Sequence, residues 1–309
     1  MAIDINAITG YVEQRRLPII RNAVIGAKSL KYMRPNVDVK GKAVLNLLNT
    51  EAKFNDGSDC GWNDTTEGTF TQRTIETGQI AVNMSLCDKA LANTWMGYEV
   101  KAGLVGEGEK APFEEDLVNG IVENVQGSLE KAIWQGDKSS LDVNLNKFDG
   151  FKKIIDGLAG TVVNVSYQTG ANASTMIGIA YAALPAEVFS KGDVVIYCSD
   201  TVYRKYVQEL ITANLYHFVD DAKADYVVLP GDSRVKVIGT AGLNGLTKEQ
   251  LFASYAENFN FGTDLVGDTA NVDAWYSKDN REFRFAMDFN FGVQVAFPNL
   301  IVEVHESGE

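Results

Sequence analysis

Between Phe283 and Phe297 large apolar residues occupy every second position: Phe283, Phe285, Met287, Phe289, Phe291, Val293, Val295 and Phe297. Glu282, Arg284, Ala286, Asp288, Asn290, Gly292, Gln294 and Ala296 alternate with them. A period of two held this long predicts a strand with one greasy face, ended by Pro298. Val272 to Tyr276, across a KDN turn, is its expected antiparallel neighbour.

A different period runs from Pro112 to Gln135. Phe113, Leu117, Ile121, Val125, Leu129, Ala132 and Ile133 recur at spacings of three and four, the stripe of an amphipathic helix. Pro112 suits a first helical position, Glu114, Glu115 and Asp116 complement the helix dipole, and Gly136 follows the last periodic residue. At 1.5 Å per residue such a helix spans about 36 Å, long enough to act as a strut. Gly120 and Gly127 inside it each cost roughly 1 kcal/mol relative to Ala, which points to close approach of another backbone or to bending.

Ala43–Leu48 and Thr69–Leu86 favour strand and flank the turn-forming stretch Asn55–Gly68, so together they predict a long hairpin. Thr69–Thr77 carries only Phe70 and Ile75 as large apolar groups. A two-stranded ribbon with so little to bury is marginal by itself, so the hairpin is either floppy or laid along another molecule, and the second reading is favoured. Trp62 in its tip is a candidate anchor on a partner.

Residues 161–240 alternate helix and strand: a helix over Asn172–Leu184, a buried strand at Val194–Cys198, a helix over Thr201–Ala213 with Asp200 as its N-cap, and strands at Tyr226–Leu229 and Val235–Ile238. They predict a compact α/β lobe. Short helices are expected over Ile3–Val12 and Asp88–Tyr98, the latter followed by a Gly-rich joint at Gly103, Gly106 and Gly108. Pro18 and Pro35 make residues 1–38 read as an extended arm. The fold class is α+β.

Charge changes this picture at one end. The chain carries a net charge of -13, which argues against general attraction to nucleic acid. Residues 1–45 run the other way: Arg15, Arg16, Arg21, Lys28, Lys31, Arg34, Lys40 and Lys42 face only Asp4, Glu13 and Asp38. An acidic body with a basic arm can dock onto copies of itself. Arg15, Arg16, Arg21, Trp62, Phe70 and Arg73 are therefore the expected inter-subunit contacts. No apolar run reaches the roughly 18 residues of a membrane span. Cys60, Cys87 and Cys198 lie far apart and read as free thiols.

Catalytic chemistry finds little to work with. His217 and His305 are the only histidines, and no zinc, dinucleotide or phosphate-loop motif occurs. Asp56, Asp59, Asp64 and Glu67 are oxygen-rich but lack the calcium-loop spacing. Glu114–Asp116 are explained by the helix dipole, and Asp220 and Asp221 by a solvated loop. No catalytic, metal or cofactor residue is expected.

The order of parts is more specific than any of them alone: basic arm, hairpin, long helix ending in KAIWQGDKSS with FDGFKKI after it, α/β lobe, then NREFRFAMDFNFGVQVAFPNLIVEV. It resembles the major capsid proteins of tailed bacteriophages, the Hong Kong 97-type fold shared with encapsulins. The resemblance implies an N-arm at 1–38, an E-loop at 39–87, a P-domain at 88–160 with the spine helix at 112–135, an A-domain at 161–240, and a return to the P-domain sheet at 241–309. It implies a subunit that self-assembles as pentamers and hexamers into an icosahedral head enclosing double-stranded DNA, in the host cytoplasm, with a portal and no membrane. With 111 residues ahead of the spine helix, the expected scaffold is a separate protein. The alternatives are an encapsulin-type compartment shell and, from another class, an enzyme with its site in the 161–240 lobe.

Overall fold

The computed structural model describes residues 15–50, 68–87, 113–213, 225–264, 271–280 and 282–307. The helices expected over 3–12 and 88–98, the 103–108 joint, the hairpin tip with Trp62 and its carboxylates, Cys60, His217 and Asp220–Asp221 lie outside these residues. In order, the elements are α1 (Arg16–Ile25), β1 (Arg34–Val37), β2 (Lys42–Thr50), β3 (Gly68–Glu76), β4 (Gly78–Cys87), α2 (Phe113–Gln135), α3 (Phe151–Asp156), β5 (Val163–Tyr167), α4 (Ala173–Ala183) and α5 (Ala186–Lys191). Then follow β6 (Val194–Ser199), α6 (Asp200–Thr212), β7 (Tyr226–Leu229), β8 (Asp232–Thr240), β9 (Gln250–Tyr255), β10 (Phe259–Thr263), β11 (Asn271–Ser277), β12 (Glu282–Val295) and β13 (Val302–Glu306).

The period-two segment is β12. It organises a five-stranded sheet in the order β1-β10-β12-β11, with β4 paired along its other edge. Phe283, Phe285, Met287 and Phe289 are buried on one face while Asp288 is exposed on the other. From Phe289 to Val293 every residue is buried. There the turn between β3 and β4 covers the second face, and a Cβ on Gly292 would collide with the Glu76 carbonyl. Phe297 falls outside the strand, with the Lys191 ammonium 4.4 Å above its ring.

α2 begins at Phe113 and ends at Gln135. Ile121, Val125, Leu129, Ala132 and Ile133 are buried in one core with the odd-numbered residues of β12. The buried stripe is wider than expected, taking in Val118, Val122 and Trp134. The Trp134 ring lies 4.9 Å from Tyr197 of β6, 5.5 Å from Phe252 of β9 and 6.2 Å from Phe259 of β10, so it touches both large sheets. Of the two readings of Gly120 and Gly127, close approach of another backbone is absent among the described residues, since a Cβ at either meets nothing within 4 Å. It occurs one residue past the helix instead, where Gly136 and Gly150 pack backbone to backbone and Gly150 N donates to Gly136 O at 2.9 Å. That contact is what the glycines of WQGD and FDGF provide.

Residues 16–37 are not an extended arm. Ile19, Ala23, Val24, Ala27, Leu30 and Met33 are buried, α1 packs on α2, and β1 pairs in parallel with β10. Pro18 sits in the first turn of α1, where its missing N–H breaks no intrahelical bond. Behind α1, the buried Glu130 carboxylate accepts from Ser29 Oγ and Thr240 Oγ1, while Trp134 Nε1 donates to Ser29 Oγ at 2.9 Å. One polar knot thus ties the N-terminal segment, α2 and β8 together.

The hairpin also differs. β2 pairs with β3 from Lys42↔Glu76 to Thr50↔Gly68, but the strand expected over 69–86 breaks at Thr77. Its second half is β4, which pairs with β12 from Gly78↔Phe291 to Cys87↔Glu282. Ile80, Val82, Met84 and Leu86 give β4 an apolar face to pack against the core, and β3 has no such face.

The lobe is a six-stranded sheet in the order β5-β13-β9-β6-β8-β7, with β6 wholly buried. It draws β9 and β13 from beyond residue 240, so the segment 241–309 feeds both sheets rather than one. Leu251–Tyr255 is buried throughout, as suits a strand covered on both faces. The cap of α6 is Ser199, whose Oγ accepts from Val202 N at 3.2 Å; Asp200 is the first helical residue and places its charge in the first turn.

Candidate inter-subunit surfaces

A clamp fixes the root of the hairpin. Thr77 N donates to Gly41 O at 2.8 Å, Gly41 N donates to Thr77 Oγ1 at 3.0 Å, and Gly41 turns at φ +85°. Glu76 pairs with Lys42 at 2.6 Å and with Lys138 at 2.8 Å. Hydrogen bonds from Lys138 and Lys42 hold its carboxyl down at about 2. Lys138 lies in the loop after α2, which is braced by Lys138 N to Asp149 Oδ1 at 2.9 Å and by Lys153 pairing with Asp137. The hairpin therefore leaves the body from a fixed root, as a ribbon of two strands that among the described residues pair only with each other.

The expected contact residues fall on two elements. Arg15 caps α1, Arg16 is its first residue, and Arg15 and Arg21 are exposed. Phe70 and Arg73 lie on β3, with the side chain of Phe70 outside the described residues, and Trp62 lies between β2 and β3. Arg73 turns inward: its Nη2 donates to Gln294 Oε1 at 3.1 Å, and burial lowers the guanidinium's pKa. Among the described residues its buried Nε has no hydrogen-bond partner. Arg73 thus braces the hairpin against its own subunit.

Exposed apolar features escaped the sequence reading. Leu141 is 100% exposed and Val143 67%, both in the loop after α2, and Trp275 on β11 is 43% exposed. A groove of about 400 Å³ runs between α2 and β4, lined by Val82, Met84, Ile121, Val125 and Val143. A smaller cleft of about 250 Å³ separates Val44 and Leu47 of β2 from Tyr255 and Phe297. The only signal for the loop was the pair Leu141 and Val143 standing apolar among Ser, Asp and Asn.

The lobe offers little acid–base machinery. Burial pushes the Cys198 thiol up, which makes it inert as a nucleophile. A cleft of about 500 Å³ between β5 and α4 has Tyr167 as its one titratable group, raised to about 12 by burial. Glu303 on β13 is raised to about 7, by burial first and by Asp156 second, in a shallow pocket whose lining includes His305 and Lys248 but no Ser, Thr or Cys. Among the described residues no three His, Cys, Asp or Glu converge as metal ligands.

No family model and no curated protein matches the sequence. Solved structures do match its fold. The satellite phage P4 procapsid including the size determination (Sid) protein has a chain that aligns at TM-score 0.62 and 9% identity, covering 94% of this chain and 90% of that one. The capsid of the empty GTA particle aligns at TM-score 0.56 and 13% identity, covering 91% and 90%. A virus-like particle from Pyrococcus furiosus aligns at TM-score 0.52 and 11% identity, covering 94% and 98%. The chain has the mixed α+β fold of these capsid and particle proteins.

Proposed function

We propose that the chain is the major capsid protein of a tailed double-stranded DNA phage, one tile of an icosahedral head that encloses the genome. The observation that carries this is a two-sheet body of capsid fold, matched over nine-tenths of both chains, from which a hairpin projects with almost nothing of its own to bury. In this reading β2, β3 and their tip are the E-loop, α2 and the β12 sheet the P-domain, the six-stranded sheet with α4 and α6 the A-domain, and α1 with the residues before it the N-arm. Arg15, Arg16, Arg21, Trp62 and Phe70 are contacts to neighbouring copies, and Arg73 holds the E-loop at the angle that such contacts need. Assembly takes place in the host cytoplasm as pentamers and hexamers, with a separate scaffolding protein and a portal. No catalytic step is assigned.

The encapsulin-type reading keeps the same tile and changes the contents; its support is the Pyrococcus particle, whose likeness is lower than that of the P4 procapsid. Electron microscopy of the chain expressed with and without its scaffold tests the proposal. Closed shells are expected. A chain that stays monomeric under both conditions refutes it.

A further inference from the structure

The loop after α2 carries the most exposed large apolar residue among the described ones. Leu141 is 100% exposed, and Val143 beyond it 67%. The loop that holds them is braced. Asp137 N donates to Leu145 O at 2.9 Å and closes its neck, Leu145 packs against the core, and Asp142 Oδ1 accepts from Asn144 N at 2.9 Å. Lys138 and Lys153 pin its flanks through Glu76 and Asp137. A leucine held in water on such a turn loses little further freedom when it meets a partner.

A receptor lies next to it. Val143 is also part of the lining of the groove of about 400 Å³ between α2 and β4, together with the buried Ile121 and Val125 and the half-buried Val82 and Met84. A knob and a hole side by side make a self-complementary patch, because a twofold rotation brings each knob to the other copy's hole. Charge supports the same pairing. Asp142 follows Leu141, Lys147 lines the groove, and among the described residues neither has an ion pair. Two chains of net charge -13 need local attraction of this kind to approach.

Resting on the shell reading for its setting, we infer that this face is a twofold contact between two copies of the chain. Leu141 of each copy enters the groove between α2 and β4 of the other, and Asp142 of each meets Lys147 of the other. Such a contact closes on itself as a pair. It uses neither the hairpin nor the N-terminal segment.

Sedimentation velocity of the full chain over a concentration series reads the pairing. Leu141→Asp changes a fully exposed side chain, so its melting temperature is expected to match wild type, while the concentration at half-pairing rises roughly tenfold or more. Ser128→Trp, at an exposed position lining the groove, is expected to weaken pairing as much by filling the hole. Pairing that ignores Leu141→Asp overturns the inference, and so does pairing that ignores Ser128→Trp, since the knob then sits elsewhere.

The charges give a second arm. Asp142→Lys and Lys147→Glu each set like charges across the contact, and each is expected to weaken pairing roughly tenfold at about 0.15 M salt. Mixed in equal amounts the two variants recover it, because every charge changed on one copy then meets its opposite on the other. Single variants that pair normally, or a mixture that stays apart, sink the contact. A groove filled by another segment of the same chain or by a different protein shows as wild type that stays monomeric over the whole series, which also overturns the inference. Wild type that pairs but never closes into particles refutes the shell reading and leaves this contact standing. Particles that form equally from wild type and Leu141→Asp, with no pairing in either, refute the contact and leave the shell reading.

Discussion

Glu303 is 5% exposed, and its carboxyl stands at about 7 through burial and the neighbouring Asp156. A carboxyl raised on folding from 4.5 favours its protonated form in the native state. The stability it contributes is therefore present in full below about pH 4.5 and is lost as pH rises through about 7. Lys152, which pairs with Asp156, lowers the value, and the nearby Glu306, His305 and Lys248 share the pocket. Glu303→Gln keeps the shape without the charge. Its melting temperature is expected to match wild type at pH 5 and to exceed it by about 3 °C or more at pH 8. An equal gap at both values contradicts the assignment. Such residues were not legible in the sequence: Glu303 looks like any strand glutamate, and Glu130 like any exposed helical one. Trp134 was hidden differently, because KAIWQG reads as the tail of an apolar stripe, and only the meeting of Tyr197, Phe252 and Phe259 around it reveals a joint between sheets.

At the scale of elements, pattern strength decided what could be read. β12 and α2 were visible because a period of two or of 3.6 held for more than a dozen residues. The hairpin was misread at Thr77 because that single residue separates β3 from β4, and the contacts that divide them are made by Gly41, Lys138 and Gly292, residues distant in sequence. The N-terminal helix was missed because Pro18 and Pro35 suggested breaks, although Pro in a first turn breaks nothing. Of the expected contacts, Arg16 and Arg21 lie on α1 with Arg15 at its N-cap, whereas the inward turn of Arg73 depends on Gln294 of β12. Two predictions belong here. Gly127→Ala, in an exposed helical position with open space around it, is expected to stabilise the isolated subunit by about 1 kcal/mol in denaturant unfolding. A loss of stability there reveals a contact within the subunit that the fold does not contain. Deleting residues 55–68 is expected to leave the melting temperature of the subunit unchanged within about 2 °C while shell yield collapses, because the ribbon beyond its root adds little to the core. Normal shells from the deletion contradict the role given to the hairpin.

The described residues form two large sheets locked by α2 and Trp134, with an N-terminal helix folded onto this body and a hairpin clamped at its root. On the proposed function the body accounts for stability and the hairpin for assembly, and this division of labour is the central claim. It is tested most directly by a cryo-electron-microscopy reconstruction of the particles that the chain forms. The account predicts closed icosahedral shells in which β2 and β3 of each copy lie across a neighbouring subunit, with the tip against that neighbour. Shells in which every hairpin folds back on its own subunit, or a chain that forms no closed particle, contradict it.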